Sequence, residues 1–487
     1  MKLRDIWEDI DIYAICSTLN QIVNYIPIKV VRSQNYNKPV KILNITVKSE
    51  SEKDSVFKRF DNKEWDKNLF DVLKKRESNI IYSDEDERNV IEIERKEVKY
   101  IKDELCKKII SKNKDDGLKF LDGICNYMNG ISSENKILWN ITGGQRSTVF
   151  AIQEFIKKNQ RKNDYLLYLE GNSNKIVYGK LNNSGFQYEI LDEKYSIDNL
   201  HIRDVFQLAG FEITSRKNEL INFLDDCNKN IDTKECKQLK LCEKIYKHYR
   251  NENDMELGEF FRERLLELNK HKDKNGNMIC NEEKVEKFWN ELKKKDFKNE
   301  FDNEDKNILL NMRNDNQNKF GYILEYMSIS SIVNTIIQIP EMKNYFIGVY
   351  HSINLNRIDK KFKEKDTTQL CEFDIVLLSK SGQVVLFECK SGVMSSDVAK
   401  ARQYTAYAAG GVYGKPVLIT PILQYDRKLI NKIFKNKSSL DKADREKIGK
   451  YNSTVIYALR AAARANLEVW GIDEIGEKLK ELYEEAL

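Results

Sequence analysis

The chain has 487 residues, enough for two or three domains with a core each. Its 82 basic and 77 acidic residues leave a net charge of only +5, so no global field draws it to nucleic acid and any substrate groove must be local. Nine scattered cysteines with no C-x-x-C pair, and only four histidines, argue against structural zinc and fit a reducing compartment. No cleavage site follows the N-terminal segment, and no run of about 18 apolar residues occurs. The expected location is the cytoplasm, with no membrane span.

In chain order, residues 11–16 (DIYAIC) predict a first strand, and Ser17, Thr18 and Asn20 lie in the polar loop after it. Residues 41–47 predict a second strand, and 136–141 (KILWNI) a buried one. Next come Thr142-Gly143-Gly144-Gln145-Arg146-Ser147 and an amphipathic helix over 148–158. A glycine turn between strand and helix turns backbone N–H groups toward an anion. The spacings of a P-loop and of the dinucleotide fingerprint are both absent, and a plain tight turn is the alternative. A later strand is expected at 164–169, and 206–213 ends this first part.

Residues 214–318 are dominated by Lys, Glu, Asp and Asn. Helical patches at 238–248 and 283–295, the latter with Phe288, Trp289 and Leu292 on one face, predict a helical connector. Asn275-Gly276-Asn277 marks a turn between them.

Beyond it, an apolar helix over 320–339 carries a lone acid, Glu325, and stops at Pro340. Strands follow at 344–355, 371–378 and 383–389, the last two joined by Lys380-Ser381-Gly382 as a three-residue hairpin loop. A hairpin centred on Ser381 sets Asp374 opposite Glu388 and Glu372 opposite Lys390, so acids and an ammonium share a face. Close carboxylates call for a divalent cation, and the Cys389 carbonyl adds an oxygen ligand. On this reading Asp374 is a ligand and Glu372 a partner for Lys390. A surface hairpin with an ordinary salt bridge is the bland alternative. Ser395 offers an N-cap for a helix over 397–409, where Gln403 and Tyr407 share a face. A strand at 415–420, a helix with Arg460 and Arg464, a strand at 467–472 and a final helix close the chain.

The string D-(x13)-E-x-K within apolar strands, preceded by a helix glutamate and followed by Q-x3-Y, resembles the PD-(D/E)XK nucleases. The resemblance implies that Asp374, Glu388 and the Cys389 carbonyl hold magnesium or manganese. Lys390 then orients the attacking water, Glu325 assists, and Gln403 helps place the phosphate. N-x-T-G-G followed by a basic residue resembles the ligand loop of CARF domains, the Rossmann-like sensors of CRISPR systems. It implies a homodimer binding a cyclic oligoadenylate, cyclic tetra-adenylate foremost, at Ser17, Thr18, Asn20, Thr142, Gly143, Gly144, Gln145 and Arg146. Gln145 and Arg146 depart from the threonine and lysine frequent there, and Arg146 can still hold phosphate bidentately.

The expected fold class is therefore α/β. A Rossmann-like CARF sensor occupies 1–213, a helical connector 214–318 and a restriction-endonuclease-like PD-(D/E)XK domain 319–487. The expected function is a metal-dependent endonuclease of CRISPR antiviral defence, cleaving DNA or RNA once the activator binds. The alternatives are a stand-alone repair or restriction nuclease and a non-catalytic nucleic-acid-binding regulator. Arg264 and His271 form an R-x6-H string similar to that of HEPN ribonucleases, a rival, metal-free chemistry.

Overall fold

The computed structural model describes residues 1–16, 18–33, 41–45, 62–76, 93–94, 133–144, 146–171, 174–194, 197, 200–214, 220–225, 233–251, 253–268, 280–295, 297, 300–312, 319–358, 371–392, 394–411, 414–428 and 453–486. They build two mixed sheets with helices on their faces, the α/β class expected.

The first sheet holds β1 (Ile12–Cys16), β2 (Lys41–Ile45), β3 (Ile93–Glu94), β4 (Ile137–Asn140), β5 (Tyr165–Glu170), β6 (Lys175–Asn182) and β7 (Gly185–Lys194). Their order is β3-β2-β1-β4-β5-β6-β7, with β1 to β5 parallel and the last two antiparallel. All five residues of β1 are buried because both faces of a parallel sheet are covered. Tyr13 and Ile15 pack on one face with α1 (Leu3–Asp9) and α2 (Ile22–Ser33). Ala14 and Cys16 pack on the other with Phe155 and Ile156 of α4 (Arg146–Lys158). Between these helices, α3 (Asn62–Arg76) adds Leu69, Val72 and Leu73 to the first face. The chain runs from β1 to β2 on one side and returns to β4 on the other. The loops after β1 and β4 therefore flank a reversal of strand order, where open α/β sheets form a crevice.

The second sheet has the order β13-β12-β11-β10-β9-β8. Its strands are β8 (Phe211–Ile213), β9 (Phe346–Arg357), β10 (Cys371–Ser379), β11 (Val384–Cys389), β12 (Gly414–Thr420) and β13 (Glu468–Gly471). Pairing is antiparallel from β8 to β11 and parallel from β11 to β13. Residues 206–213, expected as one exit segment, divide between α5 (Ile202–Leu208) and β8, whose three residues pair with β9.

The charged stretch folds into α6 (Lys234–Tyr249), α7 (Met255–Glu267), α8 (Asn281–Lys293) and α9 (Asn303–Leu310). Their thin apolar faces, including Phe261, Phe288 and Trp289, share a core with α10 (Lys319–Gln338), so the connector packs on the C-terminal domain. The Asn275-Gly276-Asn277 turn lies outside the described residues. By length and composition α10 could cross a membrane, but most of it is buried inside the protein. After α11 (Pro340–Tyr345) and the β9–β11 meander come α12 (Ser396–Gly410), α13 (Ser453–Arg464) and α14 (Ile475–Glu485). Ser395 caps α12 as expected, its Oγ accepting from the Val398 N–H at 3.2 Å.

The two sheets also share a core. Ile22 and Ile26 of α2 belong to the same buried cluster as Val376, Leu378, Val384, Ala406 and Ala409.

Candidate active site

The hairpin register is the predicted one: Ile375 pairs with Phe387 and Leu378 with Val384 around a turn whose Gly382 has φ +81°. The β10–β11 ladder ends at Ile375 and Phe387, and there the strands part company. Beyond it β11 continues beside β12, with Glu388 against Leu418, and β10 continues beside β9, with Glu372 against Asn354. Asp374 bridges the fork, its Oδ2 accepting the Cys389 N–H at 2.6 Å.

A cavity of about 310 Å³ opens at this fork, lined by Tyr322, Glu325, Ser352, Glu372, Asp374, Glu388, Lys390 and Arg402. Glu388 is nearly fully buried. Lys390 Nζ lies 2.6 Å from its Oε1, and Arg402 Nε 3.0 Å from its Oε2. Neither oxygen has a well-aligned hydrogen bond, so both contacts are ionic rather than directional. Glu325 projects from α10, and His351 Nε2 lies 2.7 Å from its Oε2. The His351 ring is wedged between Tyr322 and Tyr326, at 5.2 and 4.8 Å between centroids.

Electrostatics follow from this crowding. Burial pushes the Asp374 carboxyl well above the usual range, and the charges of Glu388 and Glu325 push it the same way. Burial works against the Lys390 ammonium, but Glu388 and Asp374 beside it prevail and raise its pKa. Burial also raises the Cys389 thiol, which stays protonated and leaves only its carbonyl as a ligand for a hard cation. Fully ionised, the lining carries four carboxylates and two cations, a balance of −2.

The gathering of four carboxyl groups in one lining, with two Glu388 oxygens that lack aligned donors, fits a divalent, oxygen-seeking cation. Among the described residues no three His, Cys, Asp or Glu side chains already form a coordinating cluster. Glu388 makes its close contacts with Lys390 and Arg402.

Of the residues singled out from sequence, Glu325, Asp374, Glu388 and Lys390 meet in the cavity, with Cys389 beside them. Gln403 is half-buried on α12 and is not among the lining residues, whereas its neighbour Arg402 is. Expected as the partner of Lys390, Glu372 instead accepts the Ser352 hydroxyl, and Lys390 pairs with Glu388. The fork explains this correction, since β10 and β11 no longer face each other at that level. Arg402, His351, Tyr322 and Ser352 carried no motif. Only the i+14 offset of Arg402 from Glu388, one residue before Gln403, hinted at its place.

In the N-terminal sheet, the loops after β1 and β4 meet. Gly144, at φ +86°, sits so close to β1 that a Cβ there would lie 2.5 Å from the Cys16 Cβ, and one at Gly143 would touch Thr18. Buried Asn140 ties the loops together. Its Nδ2 donates to Tyr13 Oη at 2.8 Å, Val23 O at 2.9 Å and Asn24 Oδ1 at 3.2 Å, and its Oδ1 accepts the Thr142 N–H at 3.1 Å. The Thr142 hydroxyl accepts the Leu169 N–H at 2.9 Å, and Asn20 Oδ1 accepts the Ile22 N–H at 3.1 Å. Arg146 is exposed at the start of α4, while Ser17 and Gln145 lie outside the described residues. So does His271, and Arg264 is paired with Glu267 at 3.3 Å.

Fold and site together define a class: a mixed α/β chain with a Rossmann-like N-terminal sheet, a helical stretch, and a second, six-stranded mixed sheet whose central hairpin carries an acidic cavity. No family model matches the chain, and no curated protein does. Among solved structures it is similar to protein VC1899 from Vibrio cholerae, with a TM-score of 0.50 at 12% identity, covering 98% of each chain. Can2 from Sulfobacillus thermosulfidooxidans, solved in complex with cyclic tetra-adenylate, matches at a TM-score of 0.48 and 12% identity over 99% of each chain. A type III CRISPR defence DNA nuclease activated by cyclic oligoadenylate matches at 0.37 and 10%, covering 84% of this chain and 45% of that one. The likeness to VC1899 is one of fold along the whole chain.

Proposed function

We propose that the protein is a metal-dependent endonuclease of CRISPR antiviral defence, acting on DNA or RNA when a cyclic oligoadenylate occupies its N-terminal domain. The observation that carries this reading is the convergence of Glu325, Asp374, Glu388 and Lys390 on one cavity at the β10–β11 fork. Asp374, Glu388 and the Cys389 carbonyl are the residues to hold magnesium or manganese, which when bound polarises the phosphate and neutralises its charge. Lys390, its pKa raised, keeps its proton and therefore acts as a charged donor to the attacking water or the phosphate rather than as a base. His351, itself packed on Tyr326, contacts Glu325 where that carboxylate lines the cavity. Gln403 stands one helix position from Arg402 and helps place the phosphate.

The activator, cyclic tetra-adenylate foremost, binds across a homodimer at the loops after β1 and β4. Support comes from their position at the switch point of a parallel sheet and from the T-G-G turn at the start of α4. Binding there biases the equilibrium between a resting and an open nuclease. Cleavage of plasmid, single-stranded DNA and RNA with magnesium or manganese, with and without each ring size, tests the reading. Metal-dependent cleavage without any response to cyclic oligoadenylates would favour a stand-alone nuclease instead.

A further inference from the structure

Arg402 is the residue the nuclease pattern does not account for. Its Nη1 donates to the Glu372 carbonyl at 2.6 Å, and its Nε stands 3.0 Å from Glu388 Oε2. Its Nη2 has no partner among the described residues, and the side chain lines the cavity. Lys390 takes the other Glu388 oxygen, so the carboxylate expected to hold the metal is held by two cations instead. A divalent ion at Glu388 repels both. Lys390 sits on a flexible stem and can turn away. Arg402 is tethered by a bond to backbone, so its guanidinium stays at the cavity wall when Glu388 changes partner. A tethered guanidinium, always charged and with free N–H groups, matches the non-bridging oxygens of a phosphodiester.

We propose that Arg402 is a catalytic residue that exchanges Glu388 for the scissile phosphate. Its contact with Glu388 Oε2 sets it in competition with a divalent ion for that carboxylate. With substrate bound it donates to the non-bridging oxygens and stabilises the charge that builds there during attack, while Nη1 remains on the Glu372 carbonyl. This rests on the phosphodiesterase reading of the same cavity.

Two measurements on the full chain test it: manganese binding by calorimetry without substrate, and steady-state cleavage. Arg402→Gln is expected to bind manganese more tightly than wild type and to lose about 100-fold in kcat, the effect of removing one transition-state donor, with little change in KM. Arg402→Lys restores part of kcat. Thermal unfolding of both variants shows that they are folded, and Lys serves as the probe should Gln fold poorly. Weaker manganese binding by both variants would mean that Arg402 merely positions Glu388, and unchanged kcat would remove it from the chemistry; either overturns the proposal. Cleavage is measured with each ring size of cyclic oligoadenylate present, and wild-type protein that then cleaves no nucleic acid with either metal overturns the phosphodiesterase reading itself. Wild-type cleavage with a fully active Arg402→Gln overturns the role of Arg402 alone.

Discussion

Asn20 packs directly on Gly411. A Cβ at Gly411 would stand 2.6 Å from Asn20 Nδ2, and Gly411 caps α12 with φ +61°. Two residues on, Ile22 and Ile26 lie against Gly382 in the β10–β11 turn. The first loop of the N-terminal sheet and the helix after it thus touch both elements that carry the candidate site: the hairpin with Asp374 and Glu388, and the helix with Arg402.

Gly411→Ala should therefore lose stability on two counts, a strained backbone and a collision with Asn20, together about 1–3 kcal/mol. Urea unfolding measures it. Adding Asn20→Gly is expected to return the collision part and leave the conformational part, a coupling that a double-mutant cycle reads directly. Additive effects would show that the two residues do not touch.

Glu388→Ala and Lys390→Ala are each expected to lower cleavage by at least about 100-fold while cyclic oligoadenylate binding, measured by calorimetry, is unchanged. Glu388 and Lys390 are not among the residues of the core that the two sheets share, so truncating either leaves that contact intact. Retained nicking by both purified variants would contradict the site assignment.

The raised pKa of Asp374 makes a pH prediction. Its folded value lies above the ordinary 3.8, so the folded state binds the proton more tightly than the unfolded chain does. Stability contributed by the protonated form is present at low pH and declines as pH rises from about 3.8 through the folded value. Asp374→Asn should then raise the Tm at neutral pH, with the gain shrinking as pH falls toward 4. A Tm gain that grows on acidification would mean the carboxylate is stabilised in the fold.

In the N-terminal domain, Asn140→Ala leaves Tyr13 Oη, Val23 O and the Thr142 N–H without their shared partner. Tyr13 Oη still donates to the Asn24 carbonyl, so the expected loss of about 1–3 kcal/mol comes from Val23 O and the Thr142 N–H left unpaired. Because Asn140 also holds the T-G-G loop to β1, titration with cyclic tetra-adenylate should show weaker binding. Unchanged affinity would place the ligand elsewhere.

Much of the C-terminal domain was legible because each element carried a local signal: Pro340 after α10, Gly382 in the hairpin and Ser395 before α12. The turn set the register as far as Ile375 and Phe387, and Asp374 lies at the fork just beyond that pair. What stayed hidden depended on where strands diverge. Nothing local says that β10 and β11 separate after Ile375, yet that fork gives Glu372 to Ser352 and Glu388 to Lys390. On α12 a turn of about 100° per residue separates Arg402 from Gln403, and two adjacent polar residues do not reveal which faces inward. β8 escaped notice because three residues show no periodicity, and its partner β9 lies more than a hundred residues later.

The most direct test of the central claim is cleavage of supercoiled plasmid, single-stranded DNA and RNA by wild-type protein and Glu388→Ala, with manganese and cyclic tetra-adenylate present or chelated and omitted. Product is expected only from wild type, only with metal, and in greater amount with the activator. Equal product from Glu388→Ala, or cleavage that survives EDTA, would contradict it.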